Sequence, residues 1–88
     1  MTASPSSPAR LFVKTGCPWC TQARTVLDGA HLAYAEINVS TDPAAAAEMR
    51  QLSGQTSAPV LDWHGDILAD FGADELRPFL TARNIPLA

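Results

Sequence analysis

The chain is short of the residues that would mark most binding classes. Charged residues fill only 17% of its 88 positions, and acidic ones outnumber basic ones nine to six. A formal net charge of −3 lacks the basic footprint that phosphate contacts require, so no nucleic-acid partner is expected. No uncharged apolar run approaches the roughly 20 residues of a membrane span, and no membrane association is expected either. Residues 1–9 (MTASPSSPA) have neither a basic start nor an apolar stretch. They therefore do not read as a secretory signal, and the expected compartment is the cytoplasm. Two cysteines are too few for a disulfide scaffold. Set against these shortages, hydrophobic residues reach 47%, enough for one domain with a small core.

The Ser/Pro-rich start cannot bury enough apolar surface to offset its ordering entropy. Residues 1–9 are read as a flexible tail and 10–88 as the domain. Leu11-Phe12-Val13 is a short apolar run before Gly16-Cys17-Pro18, consistent with a buried strand that ends in a turn. Pro18 suits the first position of a helix, which should run to about Asp28 and stop at Gly29 in a left-handed cap. Ala23, Val26, Leu27 and Ala30 supply its apolar face. From Ala33 to Val39, alternation of Ala35, Ile37 and Val39 with polar neighbours predicts a strand.

Asp42-Pro43 is a cap followed by a first-turn proline, and a helix should continue to Ser53-Gly54. Val60 to Trp63, a His64-Gly65-Asp66 turn and Ile67 to Phe71 then read as a hairpin. The last helix places Leu76, Phe79, Leu80 and Ile85 on its core stripe. Pro78 conflicts with a start as early as Ala73, so that helix should begin near Leu76 or kink. The order β-α-β-α-β-β-α implies an α/β fold: a four-stranded mixed sheet with a right-handed β-α-β crossover, flanked by three helices.

The chemistry concentrates at Cys17-Pro18-Trp19-Cys20. A thiolate, not a thiol, is the nucleophile, and an ordinary cysteine is only about 3% ionised at neutral pH. At a helix N-terminus, unsatisfied N–H groups and the positive dipole end favour the anion. Cys17 falls there, and Lys14 adds positive charge. Cys20 follows one turn later on the same face, within reach of a mixed disulfide on Cys17. Cys17 is therefore expected to attack and Cys20 to resolve.

The alternatives are plainer. Half a zinc site lacks its second pair, because His31 and His64 sit on unrelated elements and read as solvated loop residues. No metal ligands are expected. Trp63 reads as sheet packing, and Trp19 as a substrate platform or a lid on its own helix. Beside a β-α-β pattern, C-x-x-C is the mark of a thioredoxin-like redox site.

Lys14-Thr15-Gly16-Cys17-Pro18-Trp19-Cys20, with Ser57-Ala58-Pro59-Val60 downstream, resembles the glutaredoxin family of the thioredoxin fold over about residues 10–83. The resemblance implies a dithiol–disulfide oxidoreductase of the electron-transport and redox-homeostasis kind. Its expected substrates are protein disulfides and glutathione mixed disulfides, glutathione is the expected reductant, and no cofactor is tightly bound. It also implies a cis Ala58–Pro59 bond beside Cys17, with Ser57, Ala58 and Pro59 offering backbone to substrate. By the same resemblance Lys14 meets a glutathione carboxylate and helps ionise the cysteine.

Glutaredoxins usually have Tyr at the position of Trp19. Many also carry Gly-Gly before an acidic residue that holds the γ-glutamyl end. Here that stretch reads Ala69-Asp70-Phe71-Gly72-Ala73-Asp74, and Asp74 matches the acidic position only with a shift. Ala58-Pro59-Val60 and the Phe71-to-Asp74 spacing resemble NrdH-redoxins, which take electrons from thioredoxin reductase and reduce ribonucleotide reductase. Iron–sulfur cluster carriage, seen in some glutaredoxins, is a third possibility that proline after Cys17 disfavours. A monomer is expected.

Overall fold

The computed structural model describes residues 9–87. Most of the expected tail lies outside them, but Ala9 is 1% exposed and opens the first strand, where it pairs with Tyr34. The elements are β1 (Ala9–Val13), α1 (Pro18–Gly29), β2 (Tyr34–Asn38), α2 (Pro43–Ser53), β3 (Val60–Trp63), β4 (Asp66–Ala69) and α3 (Ala73–Thr81). One sheet runs β2-β1-β3-β4. β1 and β2 are parallel, with Phe12 opposite Ile37, while β1–β3 and β3–β4 are antiparallel.

Alternation along β1 divides the core between the two faces of the sheet. Leu11 and Val13 join Leu61, Ala23 and Leu27 of α1, and Leu76 and Leu80 of α3. Phe12 and Val60 point the other way, onto Ala45 and Met49 of α2. Two helices thus cover one face and one covers the other. All of these side chains except Met49 and Ala45 are fully buried, and truncating one would cost about 2–5 kcal/mol.

Above the α2 face, Arg10 joins three elements. Its Nη2 reaches Asp62 Oδ2 at 2.8 Å and its Nη1 reaches Glu48 Oε2 at 2.7 Å. Burial pushes the Asp62 carboxyl up. The Arg10 hydrogen bond, the Gly65 N–H and the Arg10 charge outweigh that and hold it below the ordinary carboxylate range.

Several sequence expectations shift on contact with the structure. Gly29 lies inside α1, and the left-handed residue beyond its end is His31, with φ 58°. At α2 the reading holds: Asp42 accepts from the Ala45 N–H at 3.1 Å, and Gly54 is left-handed. In β2, Ala35 is exposed while Tyr34 packs on the α1/α3 core, so the strand at the sheet edge does not follow simple alternation. β4 stops at Ala69 because Asp70 turns to φ 53° and donates its N–H to the Pro59 carbonyl at 3.0 Å. α3 starts at Ala73, not near Leu76, and Pro78 lies within it. At this early start Glu75 and Gln22 accept the Gly72 and Ala73 N–H groups. Pro78 is exposed, so the carbonyl it leaves unpaired within the helix lies on the solvent side.

Candidate active site

The strand β1 delivers the chain to one end of the sheet, and the turn Thr15-Gly16 redirects it into α1. Gly16 adopts φ +73°, a conformation that side chains resist, which explains glycine immediately before Cys17. Cys17 is the N-cap of α1, and its sulfur accepts the Cys20 N–H at 3.1 Å. A donor that a helix start leaves open is thus aimed at the atom that must carry negative charge. Pro18, at the first helical position, has no N–H to satisfy.

Cys17 and Cys20 are joined in a disulfide, with Cα atoms 5.2 Å apart. Their surroundings differ. Cys20 is fully buried within the α1/α3 core, whereas Cys17 is half-buried at the rim. The two sulfurs are therefore unequal in access, in the sense expected for an attacking and a resolving thiol.

Residues distant in sequence complete the rim. The Ala58–Pro59 bond is cis, and the Ala58 carbonyl oxygen lies 4.0 Å from the Cys17 sulfur. Gln55 brackets Ser57 by accepting its N–H and donating to its carbonyl at 3.0 Å, which holds the approach to Pro59. Lys14 Nζ donates to the Thr56 carbonyl at 2.7 Å, placing its charge between β1 and the same loop. Lys14 and Cys17 border a cavity of about 410 Å³ that also includes Arg24.

On the opposite flank, Trp19 is 55% exposed and its ring covers Gly72. A Cβ on Gly72 would come within 3.0 Å of the ring and of Gln22 Oε1, so glycine is what lets Trp19 lie there. Trp19 is thus exposed, and its ring lies over the start of α3 at Gly72. Asp74 stands apart from the groove under Trp19. Its side chain is 94% exposed and lies 3.6 Å from Arg77 Nη1. The carboxylates that border the groove are Asp70 and Glu75.

Lys14, Cys17, Trp19, Cys20, Ala58 and Pro59 therefore meet at one end of the sheet, and Asp74 lies at its margin. Sequence reasoning missed Gln22, Gln55 and Glu75. Only Glu75 had a local signal, an acidic residue three positions after a helix cap.

Comparison with known proteins agrees with this geometry. Residues 9–68 match the family model described as Glutaredoxin. The chain belongs to the glutaredoxin family. It is 30% identical over 67 residues to an uncharacterized glutaredoxin-like 8.6 kDa protein in the rubredoxin operon of Clostridium pasteurianum, covering 76% of this chain and 89% of that one. A glutaredoxin of Neisseria meningitidis is 50% identical over 44 residues, about half of each chain (49% and 52%). Among solved structures, a glutaredoxin from Archaeoglobus fulgidus superposes with a TM-score of 0.73 at 14% identity, covering 83% of this chain and 85% of that one, a likeness of fold. A buckwheat glutaredoxin solved with glutathione gives 0.64 at 24%, covering 89% and 80%. The chain is accordingly a thiol–disulfide oxidoreductase of the glutaredoxin type, with a thioredoxin-like fold. Among the described residues, no helix is long and apolar enough to cross a membrane.

Proposed function

We propose that this glutaredoxin reduces protein disulfides by a dithiol route, with Cys17 attacking and Cys20 resolving. The observation that carries this reading is the contrast between the two sulfurs. Cys17 is half-buried at a helix start with an N–H on its sulfur, and Cys20 is sealed one turn away. In the reduced protein, the Cys17 thiolate attacks one sulfur of the substrate and releases the other as a thiolate that takes a proton from water. Cys20 gives up its proton and attacks the Cys17 sulfur, releasing the second substrate thiol. Two electrons have then passed to the substrate, and the protein is left with the Cys17–Cys20 disulfide.

Regeneration consumes two further thiol equivalents. Glutathione can supply them, its carboxylate meeting Lys14 and its backbone pairing with Ala58, between Ser57 and Pro59. Among the described residues the Ala58 N–H donates to no other group, which supports a strand-like substrate contact there. Thioredoxin reductase is the second donor considered, and Asp70-Phe71-Gly72 in place of a double glycine favours it. Ribonucleotide reductase is then the protein substrate to test.

The deciding assay follows NADPH consumption on a small mixed disulfide with glutathione plus glutathione reductase, or with thioredoxin reductase alone. Turnover with glutathione identifies a working glutathione-fed enzyme. Turnover only with thioredoxin reductase reassigns the donor. Absence of turnover under both feeds contradicts the reading.

A further inference from the structure

The two flanks of Cys17 carry opposite charge. On one side, the cavity beside Cys17 includes Lys14 and Arg24, the latter paired with Glu36 at 2.6 Å, and a neighbouring one of about 300 Å³ includes Lys14 and Arg50. On the other side, a groove of about 360 Å³ is lined by Trp19, Asp70, Phe71, Gly72 and Glu75, with two carboxylates and no cation among them. The Asp70 N–H is bonded to the carbonyl of Pro59, so this groove adjoins the reactive rim.

α3 starts at the groove, yet the first two of its donors, those of Gly72 and Ala73, are already occupied. The Gly72 N–H donates to Glu75 Oε1 at 2.8 Å, and the Ala73 N–H donates to Gln22 Oε1 at 3.1 Å. A carboxylate entering here would have to displace a bonded oxygen while facing Glu75 and Asp70. A cationic side chain meets the same carboxylates and the exposed face of Trp19, both of which attract it.

We propose that Gln22 and Glu75 determine specificity by closing this end of the site to carboxylates. The groove then receives a basic segment flanking the cysteine of a protein disulfide, in preference to a carboxylate-bearing end of glutathione. The inference rests on Cys17 being the attacking thiol. Gln22 and Glu75 act through the α3 donors and their charge, and take no part in the sulfur chemistry.

Three small disulfides test it: cystamine, which is dicationic; bis(2-hydroxyethyl) disulfide, which is neutral; and glutathione disulfide, which is anionic. Each oxidises the reduced protein to its Cys17–Cys20 disulfide and leaves as two thiols. The rate is read by acid quench, alkylation and mass. Because the probes differ in intrinsic reactivity, the quantity compared between proteins is the cystamine-to-glutathione-disulfide rate ratio.

Glu75→Gln keeps an acceptor oxygen and removes the charge. It should lower the ratio about threefold, an effect that disappears near about 0.5 M salt. Gln22→Ala, on an exposed helical position, frees the Ala73 N–H and should lower it about twofold. The neutral probe should react within about twofold of the parent rate in both variants, because a general disturbance of structure would slow all three probes. An unchanged ratio in either variant removes that residue from the proposal. Unchanged ratios in both, or a parallel loss with the neutral probe, overturn it. A parent protein that none of the three disulfides oxidises would instead contradict the underlying role of Cys17, which keeps the two failures distinct.

Discussion

Helices α1 and α3 both begin beside the disulfide, and they dispose of their first N–H groups in opposite ways. At α1 the cap is Cys17 itself, so the free donor of Cys20 falls on the reactive sulfur. At α3 the cap is Gly72, which has no side chain, and the donors go to Glu75 and Gln22. One helix start is aimed at the reactive sulfur, and at the other the first two donors are taken by side chains. The same backbone feature thus supports catalysis in one place and packing in the other, and what separates them is which side chain reaches the first turn.

The sharpest way to test the first half of that contrast is to remove the sulfurs separately. Cys17→Ser should lower disulfide reduction to background, a loss of about three orders of magnitude or more in steady-state turnover. Cys20→Ser should abolish reduction of protein disulfides yet accumulate a mixed disulfide on Cys17, visible as a mass adduct. Comparable losses without an adduct in the Cys20 variant would break the division of roles.

The second half is tested at the contact between the two helix starts. Gly72→Ala adds a Cβ about where the Trp19 ring and Gln22 now sit. Since φ at Gly72 is −120°, the backbone itself tolerates alanine. The cost should be about 1 kcal/mol in denaturant unfolding, accompanied by a change in tryptophan emission as the ring shifts. The same substitution in a Trp19→Ala background should cost less, because the two side chains compete for one space. Additive costs would mean that the ring does not cover Gly72 in solution.

A smaller effect comes from a region remote from both helix starts. Asp62 titrates below the ordinary carboxylate range when folded, so its pairing with Arg10 stabilises the protein above about pH 4. That contribution is lost as pH falls from there through the depressed folded value. Asp62→Asn should flatten the acid limb of the stability profile and cost about 1 kcal/mol or less near neutrality, with redox activity unchanged. A profile that keeps its acid slope would remove Arg10–Asp62 as its source.

The contrast also shows what a sequence makes legible. The α1 start could be read because every part of it is local: glycine, cysteine, proline and the second cysteine lie within five positions. The order of elements along the chain and the hairpin followed from apolar runs and turn residues in the same way. The α3 start could not be read, since its acceptors come partly from Gln22, 51 residues away, and its early beginning overrides the warning from Pro78. Gly29 misled for a related reason: helix α1 continues through it and the left-handed position passes to His31. The bond of Gln55 to Ser57 is local but leaves no periodic signal, and the end of β4 depends on the long-range bond from Asp70 to Pro59.

The most direct measurement reduces the protein and alkylates it briefly with iodoacetamide across a pH series, quantifying each cysteine by peptide mass. The account predicts modification at Cys17 almost alone, already rapid near pH 7, with Cys20 protected until the protein is unfolded. Equal labelling of the two cysteines, or a Cys17 rate that rises only near the ordinary cysteine range around pH 8.5, would contradict it.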